Sequence, residues 1–350
     1  MRRRFLSSIG AVTLVIAVVL LTPVLVAGQA STSAKAKTAA AAKAYTPPRT
    51  VDGHPDLQGL WDFRNVIPLE RPGQYASKEF LTEEEAAEFE RSAAERLNMD
   101  RRDDDPTRTP AVVNGAPATA DVARAYNEFW YDYGKKFVGS KRSSLIVDPP
   151  DGKIPPLTPE AKKRAAEYEE RRTRPASGPE DLRIGERCIM GFNAGPPMLP
   201  GAYNNNLQLF QTRDNVAILT EMVHNARIVP LDGRPHVSVP QWSGSSRGHW
   251  DGDTLVVETK GFYQTTSFPN SSPNMHLIEK FSRIGPDTLL YEFTVSDPTT
   301  WTKPFTAQIP MRRSDQTLFE YACHEGNYGM KGILSAARTV EKAAGEKGSR

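Results

Sequence analysis

Between residues 204 and 325 apolar and polar side chains alternate with a period of two, and the alternation is broken at turn residues. That period puts successive side chains on opposite faces of an extended chain, one face for a core and one for water. "NNNLQLFQTRDNVAILTEMVHNARIVPLDGRP" (204–235) reads as two strands joined at Arg213-Asp214-Asn215 and ending at Asp232-Gly233. The second of these runs unbroken over Val216–Val229. "SRGHWDGDTLVVETKGF" (246–262) reads as a hairpin turning at Asp251-Gly252, because Gly takes positive φ at little cost and Asp tolerates the neighbouring position. Residues 275–325 read as four more strands, with turns at Gly285-Pro286-Asp287, Asp297-Pro298 and Ser314-Asp315-Gln316. Short strands separated by turn chemistry predict a mainly β fold, an antiparallel barrel or sandwich.

Upstream of about residue 185 the chain is helical and Pro-punctuated. Leu57–Val66 reads as one strand. Residues 81–97 read as a helix opened by a Thr82/Glu85 capping box. Residues 120–137 read as a second, with Val122, Tyr126, Phe129, Trp130 and Tyr133 along one stripe. Thr158-Pro159-Glu160 starts a third that runs to about Arg172. A C-terminal helix over 330–344 turns Met330, Ile333, Leu334, Ala337 and Val340 inward. The chain thus divides into 51–185, the first strand with a helical, Pro-rich region, and 186–345, the β region with its C-terminal helix. The two together are expected to fold as one unit.

The N-terminus predicts export. Arg2–Arg4 precede an uncharged run from Phe5 to Gly28, and small residues after Pro23 offer cleavage after Gly28 or Ala30. Residues 1–30 then form a cleavable signal peptide and 31–50 a disordered spacer, with a periplasmic or secreted product. An uncleaved segment is the one route to membrane contact. Arg2–Arg4, Lys35, Lys37 and Lys43 lie outside the folded part, and their six charges take it from +2 to −4. That balance excludes a general nucleic-acid binder, which needs a basic footprint. In an oxidising compartment the two cysteines, Cys188 and Cys323, pair as a disulfide.

The pieces "PDLQGLWDF", "PLERP", "LIVDPPDGKIPPLTPE", "ERC", "AYNNN", "SRGHWDGDTLVVET", "HLIEKFSRIGPDTLLYEFTV" and "YACHEGNYGM" resemble a group of exported soil-bacterial proteins of unassigned function. The resemblance spans about residues 52–342. It implies export and one continuous unit, and no activity. Gly59-Leu60-Trp61 is similar to the G-x-W strand of lipocalin-type calycin barrels.

Three stretches hold candidate chemistry. In the strand Val216–Val229, Glu221 and Arg227 share a face with Asn225, and His224 lies on the other. They either meet a ligand inside a barrel or face solvent. In "YACHEGNYGM", His324 beside Glu325 suits general acid–base work, and a disulfide-bound Cys323 is structural rather than nucleophilic. In "AYNNN" and "PQWSGSSRGHW", Tyr203, Asn204, Asn206, Trp242, Arg247 and His249 suit a carbohydrate or aryl ligand. The six histidines show no metal-ligand spacing, and neither a nucleophile elbow, a dinucleotide fingerprint nor a phosphate loop is present, so neither metal nor cofactor is expected. The readings that remain are a binding or carrier protein for an apolar, aromatic or carbohydrate small ligand, an exported hydrolase or lyase on saccharide or plant-derived aromatic substrates with Glu and His as acid–base groups, and a structural envelope protein.

Overall fold

The computed structural model describes residues 45–98, 112–113, 116–117, 128–263 and 268–348. The signal-peptide reading lies outside these residues, as do most of the spacer and the first part of the 120–137 helix.

The strands are β1 (Gly59–Asp62), β2 (Val112–Val113), β3 (Ala116–Pro117), β4 (Ile146–Asp148), β5 (Asn206–Gln211), β6 (Asn215–Thr220), β7 (Ala226–Pro230), β8 (Ser245–Asp251), β9 (Thr254–Lys260), β10 (His276–Gly285), β11 (Thr288–Ser296) and β12 (Phe305–Ser314). The helices are α1 (Glu83–Arg96), α2 (Pro159–Thr173) and α3 (Tyr328–Gly348). The fold is mainly β. One ten-stranded antiparallel sheet runs β7-β6-β5-β1-β12-β11-β10-β9-β8, with β4 added on β12, and β2 pairs β3 separately. The upstream strand β1 sits in the middle, laddered to β5 on one side and β12 on the other. Residues from both sides of position 185 therefore build one sheet.

The sheet curls but does not close. The outermost strands, β7 and β8, share no ladder. A Cβ built on Gly248 of β8 would lie 2.8 Å from Val229 Cγ1 on β7 and 2.7 Å from Leu231 Cδ2, so they meet side chain to backbone. Every second residue of the long strands points inward: Leu255 and Val257; Leu277, Glu279 and Phe281; Leu289, Tyr291, Phe293 and Val295; Phe305, Ala307, Ile309 and Met311. Trp61 of β1 is fully buried among them, its Nε1 donating to the Leu57 carbonyl at 2.9 Å. Each large apolar side chain among these contributes roughly 1.5–3 kcal/mol by leaving water, so the alternation seen in the sequence is the main source of stability.

Caps settle the helices. Thr82 and Glu85 form the capping box of α1, and the Thr158 side chain caps α2 at Ala161 N. α3 starts two residues earlier and ends four later than the alternation of its apolar face suggests. Of the five side chains expected inward, only Ala337 is buried, and Val340 is 55% exposed.

Three other expectations are corrected. The 216–229 strand is two strands. β6 ends at Thr220, and Met222–His224 form a tight turn with Val223 at φ 57° and His224 at φ 41° before β7 begins. Residues 128–138 are not helical beyond a short 3-10 turn at Glu128–Trp130. Tertiary hydrogen bonds replace the helical ladder there: Asp132 N donates to the Ala202 carbonyl, and Val66 N to the Lys136 carbonyl. Gly134 lies flush on Asn65, where any Cβ would sit 2.2 Å from the Asn65 nitrogen. Finally, residues 275–325 hold three strands rather than four, because 315–327 are loop and turn.

Candidate functional site

The interior is filled. Arg227 on β7 points inward and forms a two-pronged pair with Glu279 on β10, Nη1 to Oε2 at 2.7 Å and Nη2 to Oε1 at 2.8 Å. Both side chains are buried, at 4% and 0% exposure. The Tyr291 hydroxyl donates to Glu279 Oε1 at 2.8 Å and accepts from Met198 N at 3.2 Å. Burial and the adjacent Glu279 charge push the Tyr291 phenol well above its ordinary value, so it stays a donor. Burial works against the Arg227 charge, and Glu279 outweighs it. Both Nη atoms of Arg227 are engaged by Glu279, so the guanidinium is committed to a protein partner.

One end of the sheet gathers several of the residues singled out from the sequence. Segment 184–205 crosses it, tied to the C-terminal stretch by the Cys188–Cys323 disulfide. That bond fits an oxidising compartment. Glu221 is buried at the end of β6. Its Oε2 accepts from Asn206 Nδ2 at 2.8 Å and its Oε1 from Phe319 N at 3.0 Å. It therefore joins β5, the β6–β7 turn and the C-terminal stretch. His224, His324 and Glu325 are exposed, whereas both Glu221 oxygens are taken by protein donors. Four of the five non-glycine residues with positive φ among the described residues belong to these segments: Cys188, Asn204, Val223 and His224. A β-branched residue such as Val223 rarely adopts that region. Gly191 makes room for the turn, since a Cβ there would lie 1.9 Å from Met222 Cγ.

Around this turn the aromatic rings form a continuous set. Tyr203 stacks on Tyr321 at 5.9 Å, meets Phe192 edge-on at 5.4 Å and tilts against Tyr131 at 6.5 Å, and Tyr131 stacks on Tyr133 at 5.4 Å. The four tyrosines are half-buried and Phe192 is 50% exposed. Amides line the same place. Asn193 Nδ2 donates to the carbonyls of Tyr203 and Asn204 and to Asn205 Oδ1. Between Tyr131 and Tyr133, Asp132 pairs with Arg64, which also holds Asp62. Burial raises the Asp132 carboxyl despite that pairing, while the hydrogen bond that Arg64 donates to Asp62 raises Arg64.

Trp242 reaches segment 184–205 from the β7–β8 connection. The Arg187 guanidinium lies over its ring at 5.7 Å, and Tyr263 meets it edge-on at 4.7 Å. Arg247 and His249 share the outer face of β8. His249 is exposed, and Arg247 Nε donates to the backbone carbonyls of Arg234 and Pro235. These two do not join the ring set.

The sequence reading missed Tyr131 and Tyr133 as members of this set because it placed 120–137 on a helix, and Phe192 and Tyr321 because nothing local joins their segments to Tyr203. The spacing of Tyr131 and Tyr133 held the signal: two apart, they share a face only if the chain is extended. It also missed Glu258 of β9, whose two oxygens meet His236 and His276 on the outer face. Only strand register brings those three together. Among the described residues no three or more His, Cys, Asp or Glu side chains are placed to hold a metal ion, and no helix is long and apolar enough to cross a membrane.

Neither a protein-family model nor a curated protein matches the chain, so the resemblance over 52–342 rests on its sequence pieces alone. Among solved structures the chain is similar to a mutant of the fluorescent protein UnaG, with a TM-score of 0.22 and 14% identity over 32% of this chain and 72% of that one. So shallow a match bears on neither ligand nor chemistry.

Proposed function

We propose that the chain is an exported small-molecule-binding protein and that the ring set centred on Tyr203 takes an aromatic or saccharide ligand. The observation that supports this is the partial exposure of five aromatic rings in continuous contact beside buried amides. Rings with no ligand to meet are normally buried or scattered. Partly exposed aromatic rings stack on a planar ring or on the apolar face of a sugar. The positive φ values of Asn204 and Val223 beside these rings point the same way, because strained backbone is retained where the surrounding structure holds it for a purpose.

The test is titration of the purified chain with ferulic acid and, separately, with cellohexaose, followed by calorimetry. Saturable binding to one of them is expected. Phe192→Ala, at a position 50% exposed, weakens it by roughly 2- to 10-fold, as the loss of one aromatic contact of about 0.5–1.5 kcal/mol requires. Binding that is indifferent to both Phe192→Ala and Tyr203→Ala, or absent for both ligands, rules this reading out.

A further inference from the structure

The connection from β7 to β8, residues 231–244, joins the two strands at which the sheet fails to close. It folds back over the outer face of β8 and β9. Several of its fastenings are independent of pH: the Arg247 guanidinium holds the Arg234 and Pro235 carbonyls, Val237 N donates to Ser245 Oγ, and Gln241 N donates to the Gly261 carbonyl. The titratable one is His236, whose side chain is 15% exposed. Its Nδ1 lies 2.8 Å from the Ser245 carbonyl oxygen and its Nε2 lies 3.1 Å from Glu258 Oε2.

Both partners only accept hydrogen bonds. A neutral imidazole donates from one nitrogen, so only the imidazolium satisfies both contacts. The proton does not sit on Glu258 instead. Its carboxyl is held down to about 2, first by the hydrogen bond from His276, with His236 and Lys260 adding to it against partial burial. Each element packed against His236 supplies a charged or titratable neighbour. Glu258 and Lys260 come from β9, Arg247 from β8, His276 from the start of β10, and Asp232 and Arg234 from the connection itself. Asp232 is taken by Arg234. Glu258 is therefore the carboxylate that balances the ring, and His276, donating from Nε2 to Oε1 at 2.8 Å, fixes that carboxylate in place.

We propose that His236 is the pin of a proton-dependent latch that closes the β7–β8 connection over the edge of the sheet. Closed, it occupies the Ser245 carbonyl of edge strand β8, while Arg247 Nη1 occupies that of Ser246. On losing its proton the ring must release either Ser245 or Glu258, and the stretch of the connection around His236 loosens while the Arg247 and Gln241 contacts stay. The sign follows from the two groups. The contact is made by protonated His236, because both of its partners only accept, so it fades as pH rises and the ring loses its proton. It needs ionised Glu258, whose lowered value preserves it until pH falls toward about 2. The latch is closed in mildly acidic solution and open in alkaline solution.

Amide hydrogen exchange of the purified chain tests it, with rates corrected for the intrinsic pH dependence of exchange. Peptides covering 232–244 are expected to be about tenfold better protected at pH 5.5 than at pH 8.0, the size of one charged hydrogen bond, while peptides from β10 and β11 do not change. His236→Gln and Glu258→Gln each remove the pH dependence and leave β10–β11 protection intact. His276→Gln reduces it without removing it, because His276 holds the carboxylate and not the loop. Equal protection of 232–244 at both pH values in the unmodified chain overturns the proposal. So does pH dependence that survives His236→Gln.

Discussion

Glu258 and Glu279 are near neighbours on adjacent strands, since β9 and β10 pair Val257 with Glu279 and Glu258 with Ile278. One step in register sends them to opposite faces. Glu279 faces inward, fully buried, and is matched by Arg227 and Tyr291. Glu258 faces outward, 35% exposed, and is matched by His236, His276 and Lys260. The same side chain therefore serves two ends. Inside, a low local dielectric makes the charge costly, so its partners are permanent donors whose state does not vary near neutral pH. Outside, water screens the charge, the energy at stake is small, and partners that can lose their proton, two of them imidazoles, are tolerated. The buried carboxylate is suited to holding the sheet in one arrangement and the outer one to responding to its surroundings.

The largest effect should come from breaking the inner pair on one side. Glu279→Ala leaves Arg227 charged and buried without a counter-charge, and is expected to destabilise by about 3–5 kcal/mol in urea unfolding with an unchanged slope. Replacing both partners, as Arg227→Met with Glu279→Leu, should cost less than the single change, since no charge is then stranded. A double variant as unstable as Glu279→Ala would mean that the pair itself, and not its desolvation, stabilises the fold. Next in size is Tyr291→Phe. It keeps the ring in the core but deprives Glu279 Oε1 of one donor and leaves Met198 N without its acceptor, for an expected loss of about 1–3 kcal/mol.

Much of this was legible in the sequence and part of it could not be. The alternation gave β8 through β11 and the Asp251-Gly252 turn because each depends on neighbouring residues, and the Thr82 box and the Cys188–Cys323 pairing were readable for the same reason or from compartment chemistry. The β6–β7 turn was not readable. Glu221-Met222-Val223-His224 contains none of the residues that usually allow a turn, and positive φ at Val223 is imposed by packing against Gly191 and Tyr203 rather than by local preference. Arg227 was recognised as a charge on an apolar face, yet its partner lies 52 residues away on β10. The ring set draws on segments 131–133, 192–203 and 321, and only the folded chain places these side by side. Chemistry built within one hairpin shows in a sequence, whereas chemistry assembled from three distant segments does not.

The smallest expected effect is the one that best separates the two carboxylates. Glu258→Gln removes the charge and retains the shape, and partly exposed ion pairs contribute little, so the loss at neutral pH should stay below about 1 kcal/mol. Its dependence on conditions should nevertheless differ in kind from that of Glu279→Ala. Salt screens exposed charges over about 10 Å at 0.1 M, so raising ionic strength should shrink the Glu258→Gln effect toward zero and leave the Glu279→Ala effect nearly unchanged. Because the Glu258 carboxyl is lowered to about 2 in the folded chain, its contribution is complete above the ordinary carboxylate range and fades as pH falls through that range toward 2. The stability difference between the unmodified chain and Glu258→Gln, measured by urea unfolding from pH 6 down to pH 3, should therefore narrow with acid. A difference that is constant with both salt and acid would place Glu258 among the structural charges, and the contrast between the two faces of the sheet would then be one of exposure alone.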